Sequence, residues 1–500
     1  MISTLSTPDG SPIRVRMAPS PTGPLHIGTA RTSLYNFLTA RHEGGSYVLR
    51  IEDTDAQRST VEFEQDIIDN LHWLGITWDE GPQVAGGDDV GPFGPYRQSR
   101  RMDRYAREAQ RLLADGTAYR CYCSAEELDA VRRAQDQAKE PPRYNGRCRS
   151  LGEAERAAFE AEGRRPAIRF AVPAEKIRFD DLVRGEVEFD NSLLGDFVIV
   201  RADGIPLYHF VVVIDDQEMA ITHVIRGEDH LSNTPKHIAL IRALGFREPV
   251  FGHIPLILNP DRSKMSKRKS QTAMTAYREQ GYLPEAMVNF LAFLGWSPGT
   301  EEEIFTLDEL AARFEIGKVH KGGAVFDAER LDHLNGVYIR ALTDEQLALR
   351  LRPFVPAALP DDAILRLVPL IKERLVRLGD AAELVAFLVE TDAEVAARYA
   401  ADELVPKKAD AAGTASALAA ARELLAALDP GDFSAEVLES RCRESAEQMG
   451  WKAGDFFRPI RLAITGRAIS PPLFGSLELL GQDVTLARLD AAIGKLAVAA

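Results

Sequence analysis

The stretch Ile13-Arg14-Val15-Arg16-Met17-Ala18-Pro19-Ser20-Pro21-Thr22-Gly23-Pro24-Leu25-His26-Ile27-Gly28-Thr29 passes from a short apolar alternation, through a turn rich in Pro and Gly, into a helical pattern. Ile13 to Met17 predicts a strand. Ala30, Leu34, Phe37 and Leu38 recur at helical spacing after His26. Such a turn delivers a helix N-terminus at the end of a strand, where unbonded N–H groups and the positive dipole end suit an anion. Gly28 lets a nucleotide approach the backbone. His26 can donate to phosphate oxygens. An isolated histidine–glycine pair is more often an ordinary strand–loop–helix; the Pro-Ser-Pro-Thr-Gly lead-in shifts the reading towards a nucleotide site.

Far downstream, Arg262, Lys264, Lys267, Arg268 and Lys269 crowd one short segment, with Ser263, Ser266 and Ser270 between them. Like charges so close repel, and the segment suits the charge that moves onto a departing pyrophosphate. A random basic cluster is usually a solvated loop. Here the apolar, strand-like stretch Ile254 to Leu258 delivers it, as a strand delivers the first motif.

Outward from these motifs the chain alternates strand and helix. Tyr47 to Ile51 predicts a buried strand, Val61 to Leu74 a helix, and Gly81 to Gly94 a Gly-rich loop. A charged helix (Ala125 to Ala138) follows, then strand-like runs at Ala167 to Val172 and Gly195 to Val200. Ile221 to Arg226 and the helix Pro235 to Leu244 restore the parallel pattern. Beyond residue 341 the chain is Ala- and Leu-rich with helical spacing, interrupted near Val405 to Thr414.

The net charge of −15 disfavours general polyanion binding, yet nucleic acid responds to a local patch rather than to the sum. Four cysteines argue against a disulfide scaffold and for a reducing, cytoplasmic setting. The N-terminal residues do not form a cleavable signal sequence, and no apolar run is long enough to span a bilayer.

The two motifs resemble the HIGH and KMSKS signatures of class I aminoacyl-tRNA synthetases. Arg50-Ile51-Glu52-Asp53-Thr54-Asp55, Val224-Ile225-Arg226-Gly227-Glu228-Asp229-His230 and Asn289-Phe290-Leu291-Ala292-Phe293-Leu294-Gly295-Trp296 are similar to the bacterial glutamate–tRNA ligase family. That resemblance implies an α/β fold. A Rossmann-type catalytic domain (13–112 and 216–261) would carry an α+β acceptor-binding insertion (113–215). A helical stem-contact domain with the lysine loop (262–340) and an all-α anticodon-binding domain in two parts (341–408 and 409–500) would follow, after a disordered leader (1–12).

It further implies ATP, with Mg2+, as a substrate, and L-glutamate and tRNA(Glu) as partners of a monomer, with tRNA(Gln) a further candidate. Pro19, Ser20, His26, Gly28, Thr29, Lys264, Met265, Ser266, Lys267 and Arg268 align with ATP-binding positions. Of these, His26, Gly28, Lys264 and Lys267 align with the catalytic signatures. Arg16, Ser20, Glu52, Tyr208 and Arg226 align with glutamate-contacting positions, where a guanidinium would pair bidentately with a carboxylate and reject neutral glutamine. Asp53 and Asp55 suit a structural role as well as a substrate contact.

Some family members hold zinc on a C-x-C-x24-C-x-H pattern. Cys121, Cys123 and Cys148 keep that spacing, but Ser150 stands at the histidine position, and serine is a poor zinc ligand. The expectation is a degenerate site without zinc. Arg374, Arg377, Lys452, Arg458 and Arg461 are the basic positions of the C-terminal part, each on its own readable as a solvated helix face.

Three other readings remain open on sequence. Glutamine–tRNA ligases share the catalytic half but continue into β-barrels, unlike the helical pattern here. The glutamyl-queuosine paralogue resembles the catalytic half alone. A non-catalytic relative would be expected to lose the His, Gly or Lys residues, all of which are present.

Overall fold

The computed structural model describes residues 5, 7, 10–265 and 271–499. The chain divides into two compact units, Met1–Tyr277 with Pro284–Ala328, and Arg278–Leu283 with Glu329–Ala500.

In the first unit, β1 (Arg14–Met17) pairs in parallel with β2 (Ser46–Leu49), Arg14 opposite Ser46 and Met17 opposite Leu49. The crossover is α1 (Ile27–His42). This helix is buried on almost every face, so its polar residues must find partners inside. Asn36 Nδ2 donates to the carbonyls of Thr32 and Ile225, and Thr39 Oγ1 to that of Tyr35. Helix α2 (Val61–Trp73) starts at Thr60, whose hydroxyl accepts the Phe63 N–H.

The expected Gly-rich loop contains a short ribbon instead, β3 (Gly81–Pro82) antiparallel to β4 (Asp89–Val90). The reason is Arg97. Its guanidinium binds Glu64, Asp89 and the carbonyls of Val84 and Gly87, and so draws the loop onto α2.

After α3 (Met102–Ala114) come β5 (Ala118–Cys121), α4 (Ala125–Gln137), α5 (Glu153–Ala161), β6 (Ala167–Phe170), β7 (Lys176–Asp181), β8 (Gly185–Asp190), β9 (Phe197–Val200) and α6 (Tyr208–Glu218). Strands β5, β6 and β9 form one antiparallel sheet. The hairpin β7–β8 does not join it. It extends the sheet of β10 (His223–Gly227) and β11 (Val250–Ile254), in the order β10-β11-β7-β8, through Asp181 opposite Phe251. Helix α7 (Thr234–Ala243) connects β10 and β11.

One apolar core serves all these segments. Val211, Ile214, Leu240 and Phe251 pack with Phe170 and Ile199. At the other side of β10, the Thr222 N–H donates to the Arg14 carbonyl, so β1 has β2 on one flank and the start of β10 on the other. The carboxyl ends of β1 and β10 therefore flank a crevice of the kind where open parallel sheets bind ligands.

Ile254 to Leu258 is not one strand. Pro255 breaks it, and β12 (Ile257–Leu258) pairs instead with β13 (Ala324–Val325), beyond α8 (Met274–Glu279), α9 (Pro284–Phe293) and α10 (Leu307–Arg313). Of the expected leader, residues 5, 7 and 10–12 are described. Thr7 Oγ1 donates to the Ser11 carbonyl, and Ser11 Oγ accepts from Arg247, so this part is attached.

The second unit is helical. Helices Ala411–Ala426 and Gln482–Ala499 pack along each other through Leu418, Leu425, Leu489 and Leu496. Arg488, almost fully buried, joins Asp392 to the Ile464 and Glu390 carbonyls. Among the described residues no helix is long and apolar enough to cross a membrane.

Candidate active site

A cavity of about 1030 Å³ opens at the carboxyl ends of β1 and β10. Pro19, Ser20, His26, Gly28 and Thr29 line it from the turn after β1, and Lys264 and Met265 from the start of the basic segment. Ser266, Lys267 and Arg268 lie outside the described residues.

His26 is the N-cap of α1, and its Nδ1 accepts the Gly28 N–H at 3.0 Å. That bond occupies the Nδ1 lone pair and leaves the proton of the neutral ring on Nε2, as a donor. A side chain at Gly28 would bring Cβ to 3.3 Å from His26 Nδ1, so the glycine also sets the position of the imidazole.

The far side of the basic segment comes to the same turn. The Ile27 N–H donates to the Thr272 carbonyl, and the Met274 N–H to the Leu25 carbonyl. Asp66 on α2 clamps both, accepting the Leu25 N–H at 2.7 Å and the Thr275 hydroxyl at 2.5 Å. The Lys264 ammonium rests 3.5 Å from Asp229, both half in solvent.

Arg16, Glu52, Tyr208 and Arg226 line the other half of the cavity. Arg16 makes a two-pronged contact with Asp216, at 3.1 and 3.4 Å. Asp216 also takes Arg50 at 2.7 Å, and Arg50 in turn reaches Glu52 at 3.1 Å. Burial works against the Asp216 charge, but Arg16 and Arg50 outweigh it and hold its pKa below the ordinary value. For Glu52 burial wins over Arg50 and Arg16, and its pKa is raised.

Arg226 has different company. Its Nε donates to His253 Nε2 at 3.1 Å, one terminal nitrogen to His237 Nδ1 at 3.1 Å, and the other to Thr234 Oγ1 at 2.8 Å. Burial, followed by the charge of Arg226, keeps His237 well below the usual imidazole range; burial also lowers His253. These partners are neutral, as is the His230 carbonyl that accepts a further bond at 3.4 Å, and among the described residues no carboxylate lies within ion-pair distance of this buried cation. Tyr208 donates to, or accepts from, His230 Nδ1 at 3.0 Å.

Asp53 binds the Ser99 N–H and hydroxyl, and Asp55 pairs with Arg58. The adjacent acids Asp215 and Asp216, directly after the apolar run Val211 to Ile214, are a signal visible in the sequence.

The three cysteines converge, all sulfurs within 4.8 Å of one another. Ser150 is exposed. The fourth corner is Tyr144, whose hydroxyl lies 3.4 Å from Cys123 Sγ and 3.6 Å from Cys121 Sγ, fixed by the Cys148 N–H at 2.9 Å. The Cys148 thiol, and Arg169 beyond it, pull the Cys121 thiol down to about 4 against the effect of burial. A zinc ion bound by thiolates at about 2.3 Å in tetrahedral geometry fits sulfurs so spaced, and a phenol oxygen can complete the set.

In the helical unit, Arg374 and Arg461 both donate to the Ser470 carbonyl, and Arg461 also to Ser470 Oγ at 2.7 Å. Lys452 and Arg458 are exposed.

The model of the family "tRNA synthetases class I (E and Q), catalytic domain" matches residues 12–333, and an "Anticodon binding domain" model matches residues 346–493. The chain is 47% identical over 492 residues to a glutamate–tRNA ligase of Heliobacterium modesticaldum, covering 95% of this chain and 96% of the relative. It is 45% identical over 490 residues to one of Symbiobacterium thermophilum, covering 95% and 99%. A crystal structure of a glutamate tRNA ligase from Elizabethkingia meningosepticum, in complex with its amino acid, aligns with a TM-score of 0.82 at 35% identity, covering 97% of this chain and 100% of that one.

Proposed function

Because the chain belongs to the class I tRNA synthetases of the glutamate and glutamine type, we propose that its cavity activates glutamate with its Arg226 half and ATP with its His26 half. The activity is ATP-dependent attachment of L-glutamate to tRNA. A glutamate α-carboxylate oxygen attacks the α-phosphorus of ATP, and pyrophosphate leaves. The 2′-hydroxyl of the terminal tRNA ribose then attacks the acyl carbon, and AMP leaves. Neither step needs a nucleophile from the protein, so its contribution is positioning and charge stabilisation.

The observation that carries this reading is Arg226, a buried cation at the cavity with only neutral hydrogen-bond partners. The γ-carboxylate of glutamate would supply the missing charge, and the neutral γ-amide of glutamine would not. Arg16 is a second cation for the amino acid, and Glu52 receives its ammonium group. On the ATP side, His26 Nε2 donates to phosphate oxygens of the magnesium complex. Lys264 leaves Asp229 for the phosphates, joined by Lys267 from the same segment. The helical part would meet the anticodon, with Arg374, Arg377, Lys452, Arg458 and Arg461 as its basic positions, and the protein works as a cytoplasmic monomer.

ATP–pyrophosphate exchange tests the assignment. We expect exchange that requires both glutamate and tRNA(Glu); exchange with glutamine, or none, overturns it. Aminoacylation of purified tRNA(Gln) shows whether that tRNA is also a substrate.

Cys121, Cys123, Cys148 and Tyr144 would hold one zinc ion, which would staple β5 to the segment before α5. Elemental analysis of the purified chain should return about one zinc per molecule. Tyr144→Phe should lose the metal to a chelator faster than the parent does. Zinc-free protein that is nonetheless folded would reject the site.

A further inference from the structure

Two polar groups outside the cavity stand in a row behind Arg226. His253, on β11, accepts from Arg226 Nε through Nε2, and its Nδ1 faces Asp181 Oδ2 at 2.5 Å. Asp181 ends β7, the hairpin strand that joins the edge of β11. Its other oxygen caps the hairpin turn, accepting the N–H groups of Val183 and Arg184 at 2.9 Å and of His253 at 3.2 Å. All of Asp181 and His253 is buried, and neither lines the cavity.

The chemistry of this row is directional. A carboxylate only accepts, so it fixes the His253 proton on Nδ1. Nε2 is then a lone pair, the one form that can accept from the Arg226 Nε–H. With the proton on Nε2 instead, two N–H groups would face each other. His237 repeats the logic on the next nitrogen: Nδ1 accepts from Arg226, and Nε2 meets His209 Nδ1 at 3.0 Å. The guanidinium is thus held by neutral acceptors, and among the described residues no carboxylate pairs with it directly.

We propose that Asp181 and His253 are positioning residues for glutamate selection: the β7–β8 hairpin fixes the His253 tautomer, which aims Arg226 at a carboxylate while leaving its charge for the ligand. This rests on the assignment of Arg226 to the amino-acid substrate. A carboxylate partner placed directly on Arg226 would satisfy the cation within the protein and remove its preference for an anionic ligand. A row of carboxylate, imidazole and guanidinium holds the geometry and keeps the negative charge one ring away.

Two variants separate this role from mere packing. Asp181→Asn keeps an oxygen for the hairpin turn but can present an amide N–H to His253 Nδ1, which moves the ring proton to Nε2. His253→Leu removes the acceptor, whereas His253→Gln can return an acceptor oxygen near the Nε2 position. In the tRNA-dependent exchange assay, Asp181→Asn and His253→Leu should each raise KM for glutamate about tenfold or more, the loss expected for one hydrogen bond to a charged group. KM for ATP should stay near the parent value, and His253→Gln should recover most of the loss.

The proposal is overturned if KM for glutamate is unchanged in both damaging variants. It is equally overturned if glutamate and ATP KM rise together, the melting temperature falls, and His253→Gln behaves like His253→Leu. A parent protein that activates glutamine instead of glutamate would refute the functional assignment itself, which the same assay reads before any variant is made.

Discussion

Arg226→Leu should lower kcat/KM for glutamate by about a thousandfold, the equivalent of about 4 kcal/mol, in tRNA-dependent pyrophosphate exchange. The magnitude follows from burial. Arg226 is 5% exposed, and among the described residues no carboxylate lies within ion-pair distance of it. The substrate carboxylate that enters beside it loses water and must be repaid by the guanidinium. Without that cation the carboxylate is an uncompensated charge in a poorly solvated site, the costly half of a broken buried pair. The ATP half of the cavity, from Pro19 to Thr29, is built on a different strand, so KM for ATP should move by less than a few-fold. A variant that kept glutamate efficiency within tenfold would remove Arg226 from substrate binding.

Asp216→Ala should cost about 3 kcal/mol of stability or more and abolish measurable glutamate activation, because it removes the ion-pair partner of Arg16 and leaves Arg50 with Glu52 as its hydrogen-bonded carboxylate. Arg16 and Arg50 both end on this carboxylate, and Arg50 is completely buried. Asp215 is 3.8 Å from Arg50 but is already engaged by Arg101, Gln98 and Tyr105, so it cannot replace the lost partner. Arg16 would turn from its present direction, and the amino-acid half of the cavity would lose its shape. Denaturant unfolding at neutral pH checks the stability loss.

The pH dependence has a definite sign. The folded pKa of Asp216 is depressed by Arg16 and Arg50 acting against burial. Its stabilisation is present above the unfolded carboxylate pKa and is lost as pH falls through the folded value. The gap between parent and variant should therefore narrow in acid. Equal unfolding midpoints at neutral pH would show that the pair of arginines has another counter-charge.

The helices and strands nearest the site were legible because their signals are local. The helix after His26 needs only its spacing of apolar residues and a capping side chain, and both lie within a few residues of each other. Even the breaks have local causes, as Pro255 has in the stretch before the basic segment. The ribbon at Gly81 to Val90 was not legible, because Arg97 forms it from outside the loop.

By itself the sequence determined a histidine–glycine turn and a lysine segment, and the family resemblance aligned Arg16 and Arg226 with glutamate-contacting positions. Those are side chains whose reactivity is intrinsic and whose order along the chain is enough to identify them. Only the tertiary structure decided their company. It gave Arg16 a carboxylate from α6, gave Arg226 two imidazoles, one of them bonded to the hairpin acid Asp181, and put the Tyr144 hydroxyl among the cysteines. The reason is that a buried charge takes its meaning from whichever groups share its low-dielectric surroundings, and those groups come from segments of the chain that meet only when the sheets assemble.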